Sequence, residues 1–233
     1  MSGVEILRRA KAVLFDLDGT LLDSLPGIAH SARAAFAACG LAAGEVELRA
    51  LIGPPIRTIL ARMAAGEPTA GLSEGDLDRL VQAFRASYDS EGWKMTPHYA
   101  GAAELLRAMR AEGKRLFVVS NKPRHIAVRI LEGGGTSGLF DEIVTLDSRK
   151  PAYSGKQEMM QGLMERHGLG SQECVMVGDT MEDATAAAES GMKFCLATHG
   201  YGDVPESPAA PVAFRFGSFY DLMPSRRQEQ RID

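Results

Sequence analysis

The chain has 233 residues, of which 45 % are hydrophobic and 24 % charged, with a formal net charge of −4; these are ordinary values for a folded protein of one large domain or two unequal ones. Aromatic residues are only 6 % and no Lys/Arg-rich block occurs, which argues against nucleic acid, a partner that needs a basic stripe. The first apolar run, Ala12–Phe15, is too short for a signal peptide or a membrane span, and Cys39, Cys174 and Cys195 are scattered with no CxxC, so the reading is a reduced cytoplasmic protein with no membrane partner.

Ala12–Phe15 is the first expected strand, and it runs directly into Phe15-Asp16-Leu17-Asp18-Gly19-Thr20. A D-x-D-G-T string arises by chance in roughly one chain in a thousand of this length. Two carboxylates at i and i+2 on a loop can divide labour, one as nucleophile or metal ligand and the other as acid/base. The plain alternative is a turn, which Asp and Gly also favour.

About a hundred residues then pass before the next strand at Leu116–Val119, far more than one crossover requires. The interval carries helical periodicity: Ile28, Ala32, Ala35, Phe36 and Cys39 share one face, and Leu77, Leu80, Val81, Phe84 and Tyr88 another. Ser24 is the expected cap of the first helix, with Pro26 in its opening turn. A helical insertion over Leu25–Thr96 follows. The domain division is therefore an α/β core from 1–24 and 97–224, a helical cap from 25–96, and a polar tail from 225–233. Within the cap, Gly53-Pro54-Pro55 precedes a helix at Ile56–Met63, whose free N–H groups and Arg57 could hold a substrate carboxylate. A solvated arginine is the bland alternative.

Helix Gly101–Ala111, with Ala102, Leu105, Leu106 and Met109 on one face, leads into Leu116–Val119 and then Ser120-Asn121-Lys122. A serine hydroxyl at a strand end can donate to a phosphate oxygen or cap the helix that begins near Pro123. A strand at Glu142–Thr145 is followed by two candidate phosphate-binding lysines, Lys150 before Pro151, and Lys156 opening the pattern Gln157–His167. Strand Cys174–Val177 meets Gly178-Asp179-Thr180-Met181-Glu182-Asp183, where acidic groups suit a hard cation such as Mg²⁺, or a cap at Asp179 with Glu182 completing a capping box. Phe194–Ala197 is the last expected strand. Strand–helix alternation with runs buried on both faces predicts an α/β fold, a Rossmann-like parallel sheet covered by helices.

Asp16, Ser120 and Asp179 all fall just after the carboxyl ends of expected parallel strands, the edge where open α/β sheets bind ligands. A nucleophile, an acid/base, a cation site, a hydroxyl and a lysine on one edge form a phosphoryl-transfer inventory. In this order the motifs resemble the haloacid dehalogenase superfamily of phosphohydrolases from Lys11 to about Gly202. Phe15–Ser24, Gly53-Pro54-Pro55, Tyr99-Ala100-Gly101, Ser120-Asn121-Lys122 and Gly200-Tyr201-Gly202 resemble its phosphoglycolate phosphatase-like branch. The resemblance implies a Mg²⁺-dependent phosphatase acting on a small phosphorylated metabolite, phosphoglycolate or a similar ester. It implies that Asp16 attacks phosphorus and that Asp18 protonates the leaving oxygen and then activates water. Mg²⁺ would be held by Asp16, the backbone carbonyl of Asp18, and Asp179. Ser120 and a lysine would hold the phosphoryl group, Asp183 would support the lysine and metal shell, and Thr20 would fix the loop. The spacing to Asp179 favours Lys156 over Lys150. Ser120, Asn121, Gly53 and Arg57 are the expected substrate contacts.

Other members of the superfamily fit less well. A dehalogenase lacks the second aspartate, whereas Asp18 is present. A phosphonatase needs a cap lysine, and here only Lys94 stands at the cap's far end. A sugar phosphomutase carries a hinge histidine near the place of Ile28, with His30 set on another face. A catalytically silent binding module is the alternative from a different class. Monomer and homodimer are both left open.

Overall fold

Successive side chains of a strand point to opposite faces, so a run that is apolar throughout must be covered on both. That condition sets the architecture of the computed structural model, which describes residues 2–44, 47–65 and 72–223. Six strands, β1 (Ala12–Phe15), β2 (Arg115–Ser120), β3 (Glu142–Thr145), β4 (Cys174–Gly178), β5 (Lys193–Ala197) and β6 (Val212–Phe216), form one sheet in the order β3-β2-β1-β4-β5-β6. Every pairing is parallel. β1 lies in the interior, Leu14 beside Phe117 of β2 and Met176 of β4.

The two faces are separate cores. Val13, Phe15, Leu116, Val118, Val175 and Val177 face one side, where α1 (Gly3–Arg9), α5 (Ala102–Ala111) and α6 (Arg124–Gly133) supply Leu7, Leu106 and Leu131. Leu14, Phe117, Val119, Met176 and Leu196 face the other, covered by Met159, Met160 and Leu163 of α7 (Lys156–His167) and Ala184 and Ala187 of α8 (Met181–Glu189).

The long interval after β1 is helical as expected. It contains α2 (Leu25–Cys39), a 3₁₀ turn at Leu48–Leu51, α3 (Ile56–Ala65), α4 (Glu74–Ser90) and a second 3₁₀ turn at Gly92–Met95. The face Leu77, Leu80, Val81, Phe84 and Tyr88 of α4 is buried as a set. α2 closes onto the turn after α4 because two glycines meet: a Cβ on Gly27 would lie 2.2 Å from the Gly92 carbonyl oxygen. The two chain segments that enter and leave the insert run side by side, Asp23 N–H donating to Pro97 O at 2.9 Å and Tyr99 N–H to Leu21 O at 3.0 Å.

Four local expectations need correction. Ser24 occupies the N-cap position of α2 but makes no side-chain cap bond; instead Leu25 N–H donates to the Tyr201 hydroxyl at 2.9 Å. Helix α5 begins at Ala102, with Gly101 as its left-handed N-cap. The cap of α8 is Thr180, and its capping box is completed by Asp183, not Glu182. Strand β6 and helix α1 were not anticipated. The expected tail, 225–233, lies outside the described residues. Among those residues no helix is long and apolar enough to cross a membrane, and all three cysteines are free.

Candidate active site

Because β1 has β2 on one side and β4 on the other, the loops after these three strands open into one crevice at the point where the strand order reverses. Asp16 extends β1 by one residue, its N–H donating to Val177 O at 3.0 Å. Asp16 is buried, and its carboxylate lies with those of Asp179 and Asp183, an oxygen of each within 4.8 Å of the others. Lys156, at the first position of α7, sits among them, with Nζ 3.0 Å from Asp16 Oδ2 and 2.6 Å from Asp183 Oδ1. Lys150, its rival, is exposed.

Charge in this cluster is unbalanced. Burial pushes the Asp16 carboxyl up to about 8; Lys156 opposes the rise while Asp183, Asp179 and Asp18 add to it. Burial likewise raises Asp179 to about 6, with Asp183 adding to it and the Tyr201 N–H and Thr20 hydroxyl opposing. Burial would lower Lys156, but Asp16 and Asp183 override it and hold the ammonium charged. Three buried carboxylates against one ammonium, with oxygen donors throughout, are the surroundings a hard divalent cation would balance. The donor set therefore fits Mg²⁺.

Each carboxylate is held in place. Asp179 Oδ1 accepts from the Thr20 hydroxyl at 2.8 Å, and Oδ2 accepts from Tyr201 N–H at 2.8 Å. Gly19 lets the loop come so close: its φ is +85°, and a Cβ there would be 2.2 Å from Asp179 Oδ2. Asp183 is occupied on both oxygens, Oδ1 by Lys156 and Oδ2 by the N–H and hydroxyl of Thr180. Both oxygens of Asp179 and of Asp183 thus already accept hydrogen bonds within the protein, and Asp183 braces the lysine.

Asp18 faces away from this cluster. Its carboxylate accepts two bonds from Lys122 Nζ, at 2.8 and 3.1 Å, and the same ammonium donates to the Tyr88 hydroxyl of α4 at 3.0 Å. Tyr88 in turn meets the Thr96 hydroxyl at 3.1 Å. Burial would lower Lys122, yet Asp18 and Tyr88 raise it. Sequence reasoning overlooked Lys122 and Tyr88 as site residues. Lys122 belongs to the motif Ser120-Asn121-Lys122, but in the sequence Tyr88 is indistinguishable from an ordinary core aromatic.

The remaining expected residues surround a cavity of about 390 Å³ that reaches from Asp16, Asp18 and Ser120 to the insert. Ser120 does not cap α6, whose N-cap is Pro123; its Oγ accepts from Lys122 N–H at 3.3 Å, leaving its O–H free to donate. Asn121 ties insert to core, its amide donating to Gly53 O at 3.2 Å and to Glu182 Oε2 at 2.9 Å. Arg57 lines the cavity, but its guanidinium is taken by Asp78 at 2.5 Å and by Glu74. The expected free clamp for a carboxylate is corrected accordingly: one cation here answers two anions of α4.

A family model described as haloacid dehalogenase-like hydrolase matches residues 13–197. Among curated proteins, the tyrosine-protein kinase PtkA of Mycobacterium tuberculosis is 32 % identical over 191 residues, 82 % of this chain and 62 % of that protein. The chain thus spans less than two thirds of the length of PtkA. The phosphoglycolate phosphatase of Rhodospirillum rubrum is 32 % identical over 220 residues, 91 % of this chain and 89 % of that protein. Among solved structures, a predicted phosphoglycolate phosphatase from Haemophilus somnus 129pt superposes with a TM-score of 0.82 at 27 % identity, over 92 % of this chain and 96 % of that one.

Proposed function

The chain belongs to the haloacid dehalogenase-like hydrolases, and on that premise we propose that it is a Mg²⁺-dependent phosphoric monoester hydrolase whose nucleophile is Asp16. The observation that carries this reading is the position of Asp16. It is buried at the end of an interior strand, 3.0 Å from Lys156, and on the wall of a cavity large enough for a small ester. The relative from Rhodospirillum rubrum, named a phosphoglycolate phosphatase, matches along most of its length.

In the proposed reaction a carboxylate oxygen of Asp16 attacks phosphorus as the bond from phosphorus to the ester oxygen breaks. Asp18 delivers a proton to the departing oxygen, so the alcohol leaves neutral and Asp16 carries an acyl phosphate. Asp18, now ionised, takes a proton from water, which attacks phosphorus and returns the Asp16 carboxylate and inorganic phosphate. Lys122 Nζ, 2.8 Å from Asp18 Oδ1, fixes where that carboxyl group points through both steps. Lys156 and the Ser120 hydroxyl neutralise and orient the phosphoryl oxygens. Asp16, Asp179 and the Asp18 carbonyl would hold Mg²⁺. When bound, the ion would supply the positive charge that lets a carboxylate buried as deeply as Asp16 stay ionised beside an anionic substrate.

Release of phosphate from p-nitrophenyl phosphate tests this. The purified protein should release it with Mg²⁺ and stop when the metal is chelated, and Asp16→Asn should not release it. Turnover that survives either treatment contradicts the assignment, and ligand binding with no turnover at all points to a silent binding protein.

A further inference from the structure

The substrate's other half must lie in the part of the cavity that faces the insert, and that wall has a definite chemistry. Ile28, Ile52, Ile56 and Ile59 from the insert, with Phe84 of α4 and Ile126 of α6, line it. The ionic groups nearby are committed or repulsive. Arg57 is bound by Glu74 and Asp78, Lys122 by Asp18, and His125 stands 3.5 Å from Asp89. Asp89 and Asp147 add negative charge to the lining. Arg85, exposed on α4, is the one lining cation for which the described residues provide no ion-pair partner.

An anionic leaving group entering here would meet carboxylates whose cations are already used, and would lose its water without gaining a fixed charge partner. The cavity of about 390 Å³ runs from the phosphoryl end at Asp16 and Ser120 to this apolar wall, so a leaving group that extends from Asp16 is brought against it. We propose that the esters this site turns over best carry a branched or aromatic apolar group of several carbons, and that the insert's isoleucine wall selects for it. This deepens the phosphatase reading and rests on it.

The test compares esters whose leaving alcohols have similar acidity, assayed with saturating Mg²⁺. Along methyl, propyl and pentyl phosphate, kcat/KM should rise by about fourfold per added methylene, the value of burying one CH₂, until the cavity is full. Isobutyl phosphate matches phosphoglycolate in shape but replaces its carboxylate with an isopropyl group, and it should be turned over at least tenfold better. Ile56→Ser should flatten the chain-length series. Arg85→Gln should leave the isobutyl-to-phosphoglycolate ratio where it was. A flat series in the wild type, or a preference for phosphoglycolate that Arg85→Gln abolishes, overturns the inference and leaves the phosphatase intact. No phosphate from any ester overturns both.

Discussion

The two walls of the cavity are built on opposite terms. On the sheet side, Asp16, Asp179, Asp183 and Lys156 are buried; Asp179 and Asp183 are held on both carboxylate oxygens, and Lys156 bridges Asp16 and Asp183. On the insert side the Arg57 side chain is 42 % exposed and paired to carboxylates that are more exposed still, while isoleucines and Phe84 make up the apolar wall. Ion pairs in water contribute little, whereas buried ones are costly to break. The rigid, buried side is therefore suited to chemistry that must not vary, and the soft side to choosing what is brought to it.

Substitutions on the two sides should separate by orders of magnitude. Asp16→Asn should lower kcat by about 10⁴-fold or more, since the amide is isosteric but does not attack phosphorus; steady-state release from p-nitrophenyl phosphate measures it. Asp18→Asn should cost about 10²–10⁴-fold, and less for p-nitrophenyl phosphate than for an alkyl phosphate, whose leaving oxygen needs the proton more. Equal losses on both esters would remove Asp18 from the proton-transfer role.

Lys156→Ala should lower kcat/KM by about 10²–10³-fold and also destabilise the protein by about 3–5 kcal/mol, because it strands Asp16 and Asp183 without a counter-charge. Lys150→Ala, at an exposed position, should change neither by more than about twofold or 0.5 kcal/mol. Denaturant titration together with kinetics decides; a larger effect at Lys150 would transfer the role to it. Arg57→Ala marks the soft limit, with a change of less than about twofold on either phosphoglycolate or p-nitrophenyl phosphate. A selective tenfold loss on phosphoglycolate would restore the carboxylate clamp.

The carboxylate cluster also makes a signed prediction about pH. Asp16 and Asp179 have folded pKa values of about 8 and about 6, both raised above the unfolded range near 3.8. Their contribution to stability is complete below that range and is lost as pH rises towards 8. Metal-free protein should accordingly lose melting temperature from about pH 5 to 8.5. The rise in melting temperature on adding Mg²⁺ should be larger at pH 8.5 than at pH 5.5, when protons no longer occupy the ligands. A Mg²⁺ shift that shrinks as pH rises would be inconsistent with this cluster holding the ion.

How much of this could be read from residues alone follows a physical division. Strands β1 to β5 and the helical insert were legible because burial on both faces, or on one helical stripe, writes itself into local periodicity. Strand β6 was missed although Val212, Phe214 and Phe216 alternate with exposed Ala213 and Arg215; the alternation is too short to stand out. Helix α1 carried its own start signal, Ser2 accepting from Glu5 N–H, but is only seven residues long. Asp16, Asp18, Ser120 and Asp179 were legible as candidates for the same reason as the strands, since each lies within three residues of the end of an apolar strand run. What the chain order could not contain is who neutralises whom. Lys122 lies 104 positions after Asp18 and 34 after Tyr88; Arg57 meets Glu74 and Asp78 only because α3 packs on α4. Periodicity is a property of neighbours and survives in the sequence, whereas charge pairing falls off with distance in space, so only the folded chain decided that Lys156 pairs with Asp16, that Lys122 pairs with Asp18, and that Arg57 pairs with Glu74 and Asp78.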